Sequence, residues 1–167
     1  MTRAAFFMLL LMSATAFAQE ATPPQTRRLN VTIYYPGPNA MLTSAPTSVL
    51  LDNILEKEIK SVLELMLSQS YKYVEAIPKS TKIETVFIDG QKNVYLDFNE
   101  DISAKHPGGI TLETASVGSI CKTVFANFDV ESIRFLQKGK ELKTLAGHVD
   151  LESKMTRVQC DWLTKYR

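Results

Sequence analysis

Residues 77–151 read IPKSTKIETVFIDGQKNVYLDFNEDISAKHPGGITLETASVGSICKTVFANFDVESIRFLQKGKELKTLAGHVDL, and this stretch decides the fold. Its first part predicts a β-hairpin, because two segments rich in β-branched and aromatic residues, 81–88 and 93–98, flank a turn at Asp89 and Gly90. Three apolar residues of the second segment alternate, which places one face of the hairpin toward a core: Val94, Leu96 and Phe98.

The rest of this stretch adds a helix and further strands. Residues 111–128 place apolar side chains at three- and four-residue steps, which is typical of a helix with one buried stripe, and Thr111 is the expected N-cap. Ile133 and Phe135 predict a strand that turns at 138–140 and pairs back over 142–145.

The chain before residue 77 predicts one strand and one helix. Alternation over 29–35 indicates a strand that stops at Pro36. Residues 40–49 are ambiguous, since Pro46 allows a short edge strand at most. The segment from Leu50 to about Ser68 has the periodicity of an amphipathic helix.

The predicted order of elements is therefore β-α-β-β-α-β-β. Both helices must bury an apolar stripe, so we expect two helices on one face of one sheet, in a two-layer α+β domain. The first strand has no predicted hairpin partner beside it, which favours a mixed sheet.

The first 18 residues predict a secretory signal peptide. Arg3 supplies the positive start, residues 4–12 form an apolar segment too short to span a bilayer, and Ala16-Phe17-Ala18 is a cleavage motif. We therefore expect the mature chain in the periplasm or outside the cell, with no stable membrane anchor after cleavage.

The mature chain divides into three predicted parts. Residues 19–28 are expected to be a flexible N-terminus, 29–151 a single domain, and 152–167 a C-terminal tail. Trp162, in that tail, is expected either to pack the tail onto the domain or to stack on a ligand.

Charge and side-chain chemistry argue against several classes of function. The chain has 19 basic and 18 acidic residues, or 18 of each without Arg3, whereas nucleic-acid binding needs a basic excess. His106 and His148 lack neighbours at metal-ligand spacing, so we expect no metal or cofactor. No nucleophile and base are arranged for catalysis, so the chain is predicted not to be an enzyme.

The loop of His106, Pro107, Gly108 and Gly109 is the candidate ligand site. Backbone amides at a glycine-rich helix start hold anions in other proteins. The alternative is a tight turn that requires glycine conformations and binds nothing.

The two cysteines, Cys121 and Cys160, are candidates for a disulfide. In an oxidising compartment the bond would pin the tail onto the second long helix, and closing a loop of about 40 residues would stabilise the fold by roughly 4 kcal/mol. The alternative is a buried apolar Cys121 and a free Cys160.

Several short motifs, in this order, resemble the GerM domain family. They are Ile77–Lys82, Asp89-Gly90, Val94–Phe98, Ile133–Phe135, Gly139 and Gly147–Leu151. The resemblance covers roughly Leu29 to Leu151 and implies a fold similar to the ring-building domains of secretion-type assemblies. It supplies no catalytic residues and implies interaction rather than catalysis.

These observations lead to two hypotheses of function. The first is an interaction or scaffolding module of the cell envelope that contacts another envelope protein or itself. The second is a binder of a small ligand or cell-wall fragment, which would use the His106–Gly109 loop.

Overall fold

The computed structural model describes residues 27–165. The predicted signal peptide and residues 19–26 of the predicted flexible segment lie outside the described residues. The elements, in chain order, are β1 (Arg27–Pro36), β2 (Leu42–Leu51), α1 (Leu55–Gln69), β3 (Ile83–Ile88), β4 (Asn93–Phe98), α2 (Asp101–Ala104), α3 (Ile110–Asn127), β5 (Ser132–Gln137), β6 (Lys140–Glu141), β7 (Met155–Thr156) and α4 (Arg157–Lys165).

Five of the strands form a mixed sheet with the order β3-β4-β5-β6, and β7 pairs with β5. Only β4 and β5 run parallel in this sheet, and α2 and α3 supply the crossover that a parallel pair requires. The predicted α+β class, the mixed sheet and the β3–β4 hairpin are confirmed.

β1 and β2 form a separate antiparallel hairpin, so the expectation that β1 joins the mixed sheet is wrong. The strand β2 also continues through Pro46, which pairs with Thr32. The Thr32 N–H donates to Asn127 on the far side of β1, so Pro46 occupies a pair without ladder hydrogen bonds and its nitrogen points outward. Because the end of β2 takes Leu50 and Leu51, α1 begins at Leu55.

One hydrophobic core joins both sheets and the helices. The inward side chains of β4 and β5 are at most 1 % exposed: Val94, Leu96, Phe98, Ile133 and Phe135. On the opposite face of the same sheet, Phe87 is 57 % exposed. The helices therefore cover one face of the five-stranded sheet, as predicted, and β1 lies beside them with contacts to α1 and α3.

The helix α3 is buried on more than the one predicted stripe, because β1, α1 and α4 all pack around it. It begins at Ile110 with Gly109 as N-cap, one residue before the expected start, and Thr111 is inside it. Its buried side chains include five polar ones: Glu113, Thr114, Ser116, Ser119 and Thr123.

Two polar side chains of α3 close the open edge of β1. Asn127 accepts a hydrogen bond from the Thr32 N–H and donates one to the Thr32 carbonyl, both at 2.8 Å. Thr123 accepts from the Tyr34 N–H at 2.9 Å. Asn127 thus replaces a neighbouring strand, which is how the separate hairpin is attached to the rest of the fold.

A third polar side chain of α3, that of Glu113, holds the loop that follows β6. The strand β6 ends at Glu141, and after one further hydrogen bond from the Leu142 N–H to the Phe135 carbonyl the chain leaves the sheet, so the expected strand over 142–145 is wrong. The buried carboxylate of Glu113 accepts hydrogen bonds from the N–H groups of Leu145 at 2.8 Å and His148 at 2.9 Å. Burial raises the pKa of Glu113, but the hydrogen bonds from the loop backbone outweigh it and hold that pKa below its ordinary value.

Replacing Asn127 by Ala is expected to lower the free energy of unfolding by about 1–3 kcal/mol, because both backbone groups of Thr32 lose their partner. The matched control is Asn30→Ala on the exposed part of β1, expected to change stability by less than about 0.5 kcal/mol. Urea unfolding measures both. Equal losses in the two variants would contradict the role given to Asn127.

Replacing Glu113 by Gln is expected to lower the free energy of unfolding at pH 7 by about 1–3 kcal/mol. Because the folded-state pKa is lowered, the carboxylate stabilises the fold above its unfolded pKa of about 4.3 and this contribution is lost as the pH falls through the lower folded value. The gap between wild type and variant should therefore shrink below about pH 4.

Urea unfolding curves recorded between about pH 7 and pH 3 test this expectation. The control is Glu64→Gln, a change of the same kind at an exposed position of α1. If the difference in the free energy of unfolding between wild type and Glu113→Gln stayed constant down to the lowest pH measured, Glu113 would act through its shape and not through its charge.

Candidate functional site

A groove of about 530 Å³ lies between the start of α3, the loop 148–155 and α4. Its apolar lining is Ile110, Val149, Met155, Trp162 and Leu163. Six further residues add polar groups: Thr114, His148, Asp150, Ser153, Lys154 and Gln159. The groove is therefore mainly apolar, with polar groups around it, which is the usual character of a binding site.

The apolar surface extends beyond the groove. Trp162 is 69 % exposed, Ile110 is 49 % exposed, and Val158 is 77 % exposed one helical turn before Trp162. Trp162 therefore does not bury itself against the domain, as one of the two expectations for it required. Exposed tryptophan beside exposed aliphatic side chains marks interaction surfaces more often than it marks plain surface.

The helix α4 forms one wall of the groove and is fixed to α3 by several contacts. The guanidinium of Arg157 lies over the Phe125 ring, 5.0 Å from its centroid, and donates to the Phe125 carbonyl at 2.6 Å. Cys160 is buried in the core. The tail from residue 152 thus folds onto the domain through Arg157 and Cys160, and leaves Trp162 in the groove.

The two helices also approach each other closely. A Cβ on Gly118 would lie 2.7 Å from the Cγ2 atom of Thr164, so a larger residue at this position of α3 requires a shift of the Thr164 side chain or of α4. Lys122 and Asp161 form an ion pair between the same two helices. The glycine therefore allows α3 and α4 to approach closely.

The opposite wall, the loop 148–155, depends on Glu113. His148 lines the groove, and its Nδ1 lies 3.1 Å from the Glu113 carboxylate, which also binds the His148 N–H. Within residues 27–165, no serine hydroxyl or cysteine thiol hydrogen-bonds to His148. The pair thus positions the loop.

The structure places the predicted ligand loop beside the start of α3. The N–H of Gly108 donates to Nδ1 of His106 at 3.0 Å, and Nε2 of His106 lies 3.0 Å from the Ser116 hydroxyl. Gly108 and Gly109 have φ values of 82° and 81°, in the left-handed region that favours glycine. Burial lowers the pKa of His106. Both ring nitrogens of His106 thus make contacts within the protein. The role of the loop as a ligand site stays a prediction.

The two cysteines lie on the facing sides of α3 and α4. Both are buried and are free thiols in this structure. Burial, followed by the neighbouring Cys160 thiol, raises the pKa of Cys121. The disulfide stays a prediction.

Across residues 27–165, no group of three or more His, Cys, Asp or Glu side chains is placed to hold a metal ion. None of the helices in this range combines the length and hydropathy that a bilayer crossing needs.

Among the apolar residues of the groove, the sequence pointed only to Trp162 as a possible contact for a ligand. A signal was nevertheless present, because Val158 and Trp162 lie four residues apart while Cys160 and Leu163 lie three apart. A helix over this segment carries two apolar faces, and only one of them can pack on the domain.

The fold is shared with solved structures of sporulation proteins. The first GerMN domain of the sporulation protein GerM from Bacillus subtilis matches with a TM-score of 0.61 and 15 % identity, over 78 % of this chain and 98 % of that one. The tandem GerMN domains of the same protein match with a TM-score of 0.53 and 19 % identity, over 87 % of this chain and 48 % of theirs.

A candidate lipoprotein from Clostridium perfringens also matches, with a TM-score of 0.56 and 15 % identity, over 80 % of this chain and 89 % of that one. At these identities the likeness concerns the fold. No curated protein matches the chain in sequence.

The family model Germane, described as sporulation and spore germination, matches residues 32–143. That range extends from β1 to the loop that Glu113 holds, and it includes the motifs of the GerM resemblance from Ile77–Lys82 to Gly139, whereas Gly147–Leu151 lies beyond it. This chain therefore belongs to the Germane family of sporulation and spore germination domains.

Proposed function

We propose that this chain is a non-catalytic interaction module of the cell envelope that binds another envelope protein through the groove between α3 and α4. The observation that carries the proposal is the exposure of Trp162 and Val158 on α4, next to exposed Ile110. The predicted signal peptide and the similarity to a sporulation protein and a candidate lipoprotein support a location in the envelope.

The extent of the apolar surface favours a protein over a small ligand. A small molecule in the groove would cover part of Trp162 and would leave Val158, on the same exposed face of α4, in water. A protein segment laid along α4 covers both residues. Tryptophan is also among the side chains that contribute most to protein interfaces.

The rim of the groove suggests the chemistry of the partner. Asp150 and Lys154 contribute one charge of each sign, so the rim offers no net field that would select a charged segment. The matching partner is an uncharged segment with an aliphatic or aromatic side chain that enters the groove. Its affinity would depend on apolar burial and only weakly on salt.

Within residues 27–165, no nucleophile is paired with His148, which supports a non-catalytic role. His148 lines the groove and its ring contacts Glu113, and Glu113 also accepts hydrogen bonds from the loop backbone. Their geometry serves the wall of the groove. A binding module needs such a wall and no reacting group.

The partner can be captured by a photocrosslinking amino acid at Val158 in cells that make the full chain, and then identified by mass spectrometry and purified. We expect Trp162→Ala to weaken binding of the purified partner at least 10-fold, by more than about 1.4 kcal/mol, because the largest apolar contact is removed. Titration calorimetry measures the affinity.

The matched control is Phe87→Ala, which removes an exposed aromatic ring from the open face of the five-stranded sheet. It should leave the affinity within about twofold, as surface changes away from an interface do. Equal affinity of Trp162→Ala and wild type would end the proposal. Two other results would also contradict it. One is NMR resonances of the groove that shift on addition of soluble cell-wall fragments and not on addition of a protein. The other is light scattering that shows a dimer of the wild-type chain and a monomer of Trp162→Ala.

A further inference from the structure

The helices α3 and α4 run antiparallel, and their contacts follow one another in register. Gly118 faces Thr164, Lys122 pairs with Asp161, and Phe125 meets Arg157. Each step toward the end of α3 is matched by a step toward the start of α4. Cys121 and Cys160 fall within this sequence of contacts, directly across the interface.

Both cysteines lie inside the interface and point into the core. Each is fully buried, and each belongs to the same apolar cluster as the core of the domain. Burial and the adjacent thiol raise the pKa of Cys121, which agrees with two sulfur atoms side by side in an apolar setting. No other cysteine is present in the sequence, so the pair has no competing partner within the chain.

We propose that Cys121 and Cys160 are a modification site, at which oxidation forms an intramolecular disulfide that fixes α4 to α3. The oxidant is a molecule that carries a disulfide of its own, such as a thiol-oxidising protein or oxidised glutathione. One cysteine thiolate attacks that disulfide and forms a mixed disulfide, which releases one thiolate of the oxidant.

The second cysteine then attacks the mixed disulfide and closes the Cys121–Cys160 bond. The two cysteines lose two protons and two electrons in total, and the oxidant leaves as two thiols that hold them. The bond alters only the side chains of α3 and α4. The proposed bond stabilises the fold of the chain, and it does not depend on which partner binds the groove.

The burial of the thiols determines when the bond forms. In the docked state the side chains of α3 and α4 shield both sulfur atoms from an oxidant. The helix α4 has only nine residues, and the two-residue strand β7 precedes it. Access therefore requires that α4 leave α3, so oxidation proceeds during folding or through local undocking of α4.

The experiment uses the full chain, unfolded with reductant and refolded in a mixture of reduced and oxidised glutathione. After denaturation without reductant, we expect no free thiol to react with maleimide and a mass two hydrogens below that of the reduced chain. Trypsin without reductant should release His106–Lys122 linked to Val158–Lys165. The melting temperature should exceed that of the reduced chain by roughly 5–15 °C.

The matched variants are Cys121→Ser and Cys160→Ser, whose melting temperatures should not respond to reductant. Comparison of each variant with and without reductant separates the bond from any loss caused by the serine itself. The peptide map does not depend on stability, so it decides the matter even where a variant folds poorly. Two reactive thiols after refolding, a glutathione adduct, or dimers joined by disulfides would overturn the proposal.

Discussion

Every polar group that α3 carries into the interior has to find a partner, and the rest of the architecture depends on this requirement. A helix enclosed on several sides cannot leave a carboxylate or amide without hydrogen bonds, since an unpaired buried polar group costs about 1–3 kcal/mol. For Asn127 and Glu113 the partners are backbone groups of other segments. Asn127 binds the edge of β1, and Glu113 binds the loop at 145–148. One helix thereby joins the separate hairpin, the five-stranded sheet and the groove wall.

Local sequence patterns predicted most of the five-stranded sheet, because its strands alternate and its hairpin has a clear turn. They did not predict the β1–β2 hairpin, because a proline usually argues against a strand. Pro46 is tolerated in β2 because it lies opposite Thr32 in a pair without ladder hydrogen bonds. The apolar Leu50 and Leu51 continue the helical periodicity of the next segment. Their assignment to β2 follows from long-range pairing, which local periodicity does not contain.

The candidate site was less accessible to sequence reasoning than the fold. The groove is made by the start of α3 and by residues 148–163, which lie far from it in the chain, and Gly118 and Glu113 contribute contacts that hold these two segments together. The sequence pointed to the His106 loop because glycines precede a helix. In the structure these glycines have positive φ values, and Gly109 is the N-cap of that helix. Cys121 and Cys160 were the one candidate pair because the sequence has two cysteines, while their positions on facing helices became visible only in the structure.

The outward direction of the Pro46 nitrogen has a consequence for behaviour at high concentration. No strand of the described chain pairs with the outer edge of β2, so that edge is open to a strand from another molecule. The alternating pairs place Ser44, Pro46 and Ser48 along it, and the central one has no proton to donate. An incoming strand would meet a gap in the middle of its ladder, and this gap guards the hairpin against edge-to-edge aggregation and fibre growth.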